Sequence, residues 1–198
     1  MANEKIQNGN SLQPITLTPF ELFQFVGRRN PFSVQTNKGA YIPVRREISI
    51  DDLNVHMSGK KTYGTYVIRE DGLCTFAVID IDADTEYLKD YPDFINQMEE
   101  LSKRIISMFP EFKRIREFSG RRGYHIWIIT PQPENPAFIR ELIKSRLRKA
   151  GLMNIEVYPK QDTIDKTQKK LGNLVKIPLG KHMKGGWSTI LEVKESEK

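Results

Sequence analysis

The sequence predicts an α+β fold centred on a split β-α-β-β-α-β sheet, with a smaller N-terminal α/β module ahead of it. Three observations carry this. Residues 73–81 form an apolar run rich in Val and Ile, read as a buried strand, that ends in the alternating carboxylates of Asp80-Ile81-Asp82. Two stretches have helical spacing: Phe94, Met98, Leu101, Ile105 and Met108, then Phe138, Ile139, Leu142, Ile143 and Leu147. Between them lie strand-like runs at 114–118 and 124–130, joined by the tight turn Ser119 to Gly123.

Each element has a local cause. Residues 1–14 are polar and expected to be disordered, 15–194 to form a single domain, and 195–198 a charged tail. Within the domain, 15–70 is the N-terminal module and 71–194 carries the split sheet. Thr18-Pro19-Phe20-Glu21 reads as a helix start with a capping box, burying Phe20, Phe23 and Val26 with Leu22 and Phe25 alongside. Pro43 confines 41–45 to an edge strand. Ser49-Ile50-Asp51-Asp52 opens a short helix with a cap and two early carboxylates. Residues 62–68 and 73–81, joined through Glu70-Asp71-Gly72, are expected to pair as a hairpin. Pro110 stops the first long helix, Gly151 ends the second, and 155–158 is the last strand. The Met and aromatic stripe of the first long helix belongs to the core.

Ferredoxin-like and RNA-recognition folds share this order of elements. In that topology the first and third strands are central neighbours and the fourth flanks the first. Asp80, Asp82, His125 and Glu156 then stand on adjacent strands.

Composition sets outer bounds. The 198 residues carry a formal charge of +6 and a pI near 9.3, which permits an anionic partner without identifying one. Cys74 is the one cysteine, which excludes an intramolecular disulfide or a multi-cysteine zinc site and suits a reducing compartment. No apolar run approaches membrane-spanning length and the first residues lack a signal-peptide core, so a soluble cytoplasmic protein is expected.

The chemistry begins at Asp80 and Asp82. Residues two apart on a strand share a face, so these carboxylates repel unless a cation sits between them, and hard divalent ions such as Mg²⁺ suit oxygen ligands. A strand end fraying into a polar turn is the plainer alternative. A calcium loop fits poorly, since Thr85 and Tyr91 stand where that loop needs Gly and Glu. Ser119-Gly120-Arg121-Arg122-Gly123-Tyr124-His125 places glycines and arginines where backbone N–H groups and guanidinium forks can meet phosphate; an ordinary solvated turn is the alternative. His125 should share a face with Trp127, as a functional or a satisfied structural histidine. Glu156 should face the acidic pair, or else cap a solvent-facing strand end. Lys160 and Lys176 bracket a polar loop in which Lys166, Lys169 and Lys170 read as solvated.

Together these stretches resemble the archaeo-eukaryotic primase superfamily, and most nearly its prokaryotic primase-polymerase branch, which includes TOTE-type and CRISPR-associated members. The resemblance rests on Asp80-Ile81-Asp82, the 119–125 turn, and Glu156-Val157-Tyr158-Pro159-Lys160-Gln161 followed by 172–180. Phe25-Val26-Gly27-Arg28 and the 56–64 stretch fit as well, so it runs from about Phe25 to about His182.

The resemblance implies a primase-polymerase catalytic core with an RNA-recognition-like sheet. The implied reaction is template-dependent, transferring a nucleotide from NTP or dNTP to a primer 3′-hydroxyl or an initiating nucleotide. By resemblance Asp80, Asp82 and Glu156 hold two divalent ions, Mg²⁺ or Mn²⁺, with no organic cofactor. Many relatives carry Asp at the third position; Asp162, Asp165 and Glu192 are substitutes for Glu156. Ser119, Arg122 and His125 would hold the triphosphate, Arg122 standing where relatives often have Lys, and Lys160, Lys176 and His182 would complete the anionic pocket. The implied partners are single-stranded DNA template, nucleoside triphosphates and a primer strand; a monomer with no membrane association is expected. Lys60, Lys61, Arg28 and Arg29 are available to a first nucleotide or the template without an assignment. Two other readings stand beside this one: a non-catalytic single-strand binding module on the same sheet, and a metal-dependent nuclease.

Overall fold

A computed structural model describes residues 14–82, 93–164 and 171–197. Asp84, Thr85, Tyr91, Asp165, Lys166, Lys169, Lys170 and nearly all of the 1–14 segment lie outside the described residues. The chain opens with one 3₁₀ turn, Glu21–Phe25, then β1 (Phe32–Gln35), β2 (Tyr41–Val44), α1 (Ile50–Met57) and β3 (Tyr63–Tyr66). There follow β4 (Cys74–Asp82), α2 (Phe94–Ile106), β5 (Lys113–Phe118), β6 (Gly123–Glu134), α3 (Pro136–Lys149) and β7 (Glu156–Tyr158). Two strands end it, β8 (Leu174–Lys176) and β9 (Thr189–Lys194).

These strands form two antiparallel sheets, β2-β1-β3-β8 and β7-β4-β6-β5-β9. The predicted α+β class and split order hold: β4 and β6 are central neighbours, β7 flanks β4, and β9 adds a fifth strand beside β5. Alternation sorts the faces of the larger sheet. Arg116 on β5 reaches Ser102 of α2, so Arg116 and its cross-strand partner Ile126 face the helices. The next residues, Glu117 and His125, therefore face the other way, as do Asp80 and Trp127. Against that second face packs the N-terminal segment, with the Phe25 ring edge-on to Trp127 at 4.9 Å.

The expected hairpin of 62–68 with 73–81 does not form. Arg69 and Leu73 close the anticipated turn, but β3 pairs with β1 and β8 whereas β4 pairs with β6 and β7. Both strands are central, and every position of β3 is buried, so each finds partners on both edges within its own sheet. The 67–73 segment is a crossover, and Arg28 caps its Ile68 carbonyl through Nε and Nη2 at 3.0 and 2.7 Å.

At the N-terminus the capping exchange between Thr18 and Glu21 is present, but it starts a 3₁₀ turn. Leu22 and Phe25, three apart as that turn requires, are buried, as is Val26, and Phe23 packs partly buried against the core, but Phe20 is 73% exposed and falls outside the expected stripe. The Ser49 and Asp52 box caps α1 reciprocally. Cys74 is buried, and burial pushes its thiol up to about 12, so it is inert. Among the described residues, no helix is long and apolar enough to cross a membrane.

Candidate functional site

Register assembles the site. Asp80 lies directly opposite Glu156 on β7 and His125 on β6, and His125 lies opposite Glu117 on β5. Four titratable side chains therefore form one row across four strands on the face turned from the helices. Asp82 stands one same-face position further along β4, opposite Gly123. Ser119, Arg121 and Arg122 come from the turn between β5 and β6, where Gly120 has φ +91° and supplies a left-handed corner. A cavity of about 210 Å³ is lined by Asp80, Asp82, Ser119, Arg122, His125 and, from the other side, Lys176 and His182.

The acidic cluster is under electrostatic tension. Burial raises the pKa of the Asp80 carboxyl, His125 opposes that, and the Asp82 and Glu156 charges push it up further. Asp82 is held by Arg122, whose Nη2 and Nε lie 2.6 and 2.8 Å from its Oδ2. Glu156 accepts from Lys160 at 2.8 Å and from the Tyr158 hydroxyl at 3.1 Å, and the lysine holds its pKa below the usual carboxylate range. With these cations in place, no three acidic, histidine or cysteine side chains among the described residues stand close enough together to enclose a metal ion.

Glu117 is the residue sequence reasoning missed. Fully buried, it accepts hydrogen bonds from Trp127 Nε1 at 2.8 Å and His125 Nδ1 at 3.0 Å. Lys176 Nζ, from the smaller sheet, lies 3.4 Å away. Burial alone would raise the Glu117 pKa, but the charges of Lys176 and His125 outweigh it and hold the carboxyl at about 2. The other His125 nitrogen, Nε2, is 3.6 Å from Asp80 Oδ1. Burial lowers the His125 pKa, yet Glu117 first and Asp80 next raise it overall. The split order leaves this strand at an edge, where charge is unremarkable; only β9, pairing on its outer side, makes Arg114-Ile115-Arg116-Glu117 bury charge on both faces, and buried charge needs a partner.

The remaining expected residues divide. Ser119, Arg122, His125, Lys176 and His182 all line the cavity, but Lys160 is absent from its wall. Lys176 is committed to Glu117, and His182 Nε2 lies 3.2 Å from Gln35 Nε2 while its Nδ1 accepts from the Lys184 backbone at 3.0 Å. Of the substitutes for Glu156, Asp162 pairs with Arg140. Glu192, on β9 three strands from β4, pairs with Arg116 of β5, which is on the helix side. Arg28 and Arg29 line a separate, larger cavity of about 650 Å³ with Thr75 and Thr130. His56 is structural: its Nδ1 accepts from the Tyr63 backbone, and its Nε2 lies 3.0 Å from the Ile177 and Pro178 carbonyls.

The sequence model of the archaeo-eukaryotic primase domain of the TOTE conflict system matches residues 24–195. The chain belongs to this family. No significant match is found among curated proteins. The matched span of this primase domain contains both sheets from β1 onward and every residue of the acidic row. Membership supports a primase-like, nucleotidyltransferase role for the domain.

Proposed function

We propose that this primase domain is a template-dependent primase-polymerase that transfers a nucleotide from a nucleoside triphosphate to a primer 3′-hydroxyl or to an initiating nucleotide. The observation that carries the reading is Asp80, Asp82 and His125 facing a wall of Ser119, Arg122, Lys176 and His182, with Glu156 opposite Asp80 on the neighbouring strand but outside the cavity wall. Carboxylates that share a cavity with a bound phosphate need a cation between the two. The donor set is all oxygen, as hard ions prefer, and burial with the Asp82 and Glu156 charges raises the Asp80 pKa against the opposing pull of His125. Asp80, Asp82 and Glu156 would hold two divalent ions, Mg²⁺ or Mn²⁺. When bound, such ions acidify a hydroxyl nucleophile and offset charge on a departing pyrophosphate.

The chain's own residues supply the rest. Arg122 and Lys160 now neutralise Asp82 and Glu156; both are surface side chains, and their ion pairs are weak enough to exchange for a triphosphate. His125, clamped by Glu117, turns a fixed imidazole edge toward the cavity. The Trp127 and Val78 side chains, on the same face, are fully buried, with Phe25 packed on Trp127. Among the described residues the central strands β4 and β6 thus present no exposed aromatic side chain on this face, unlike an RNA-recognition type of binder, which favours the enzyme reading. The test is incubation with single-stranded template, labelled nucleotides and Mn²⁺ or Mg²⁺. Asp80→Ala combined with Asp82→Ala abolishes incorporation while the fold survives; incorporation at the wild-type rate would refute the proposal. Loss of labelled template without nucleotide addition would instead indicate a nuclease.

A further inference from the structure

We infer that the loop at residues 181–187, with Lys60, Lys61 and Arg121, is a docking track for single-stranded nucleic acid, and that Trp187 is its base-stacking platform. The inference rests on the primase-polymerase reading and deepens it by naming where the strand lies outside the acidic cavity.

The two tryptophans have opposite environments. Trp127 is buried in the core, whereas Trp187 is 46% exposed. An exposed indole is costly unless something covers it or uses it. Trp187 is also held in place. The loop closes through the Lys181 and Trp187 bridge, Ser188 N–H donates to the Gly180 carbonyl at 3.1 Å, and Gly186 N–H donates to the Gly120 carbonyl at 2.6 Å. One edge of the ring lies against Gly59, where a Cβ would come within 2.5 Å of the indole and where φ is +73°. Only glycine fits there, so the ring is seated on backbone with part of its surface left to solvent.

Basic side chains among the described residues accompany it. Lys60, Lys61, Arg121, Lys181 and Lys184 are exposed, and none forms an ion pair among the described residues. Two of them, Arg121 and Lys184, act on His182, whose pKa is lowered first by burial, then by Lys176, and further by these two and Arg122. Unpaired cations beside a fixed, solvent-facing ring suit a strand whose phosphates meet the cations while an unstacked base covers the ring. A duplex keeps its bases stacked and could not offer one. The track is continuous with the cavity, because Arg121 and His182 line both.

The experiment is fluorescence anisotropy of labelled oligothymidylate on the full chain without metal, with an abasic oligonucleotide of equal length in parallel. Trp187→Ala weakens oligothymidylate binding about tenfold and leaves abasic binding unchanged, while Trp187→Phe retains most of the affinity. Lys181→Ala with Lys184→Ala weakens both ligands and lowers the salt slope by about 1.4. Wild-type affinity in Trp187→Ala, equal losses for both oligonucleotides, or polyglutamate competing as well as oligothymidylate would each overturn the inference. The parent reading fails separately: if Asp80→Ala with Asp82→Ala still incorporates nucleotides, the catalytic assignment falls whatever the anisotropy shows.

Discussion

Lys176 on β8 holds its ammonium 3.4 Å from the carboxylate of Glu117 on β5, so one buried ion pair joins the two sheets. Neither side chain has meaningful access to water, and the same carboxylate holds His125 and Trp127. Breaking such a pair from one side strands a charge, while replacing both partners with uncharged groups of similar size costs far less.

Glu117→Gln and Lys176→Met should therefore each destabilise the chain by about 3–5 kcal/mol, and the double variant should recover most of that loss. Urea denaturation of the four proteins gives the coupling. Simple additivity would mean that the pair is not the contact joining the sheets.

Arg122 and the candidate ligand Asp82 are 2.6 Å apart, so the arginine competes with any cation for that carboxylate. Arg122→Ala should tighten Mn²⁺ binding several-fold in calorimetry without nucleotide, and should weaken nucleoside triphosphate binding. Weaker metal binding in this variant would contradict the competition.

Glu156 is the acid whose register faces Asp80, while Asp162 is paired with Arg140. Glu156→Gln should lower Mn²⁺ affinity at least tenfold, and Asp162→Asn should leave it near wild type. The reverse ranking would move the third ligand off β7.

Acid should weaken the fold before the carboxylates titrate. Burial holds His56 neutral and lowers its pKa from 6.5 to about 4. The unfolded chain takes up this proton first, so the contribution is complete above pH 6.5 and is lost as pH falls toward 4. A loss of about 2 kcal/mol is expected between pH 7 and pH 5. His182, also lowered, acts with the same sign. His125 is raised, so its contribution is complete below pH 6.5 and fades only as pH climbs through its folded value. Urea midpoints at pH 7 and pH 5 read the sum, and His56→Gln should flatten the difference even from a lower starting stability.

Local physics was legible in the chain and long-range pairing was less so. Helical spacing in Phe94, Met98 and Ile105 gave α2, and the reciprocal box at Ser49 and Asp52 gave the start of α1. The split order then put Asp80 between His125 and Glu156, as the register has it. The partner of β3 could not be read, because alternation states which face a residue takes and not which strand lies beside it. Glu117 was passed over for a related reason: its meaning comes from Lys176, fifty-nine positions away, reaching over from the other sheet. The pairing of Lys176 with Glu117 is unreadable for the same reason, since a lysine's type does not reveal which carboxylate it meets.

The backbone passes between the sheets three times, after β3, after β7 and after β8. A shortened product that stopped after β7 would keep Asp80, Asp82 and Glu156, yet it would strip an outer strand from each sheet and orphan the Glu117 anion. Splitting the polypeptide between its two layers is thus impossible at any single cut, and insertions or fusions belong at the exposed corners rather than in those three connecting passages.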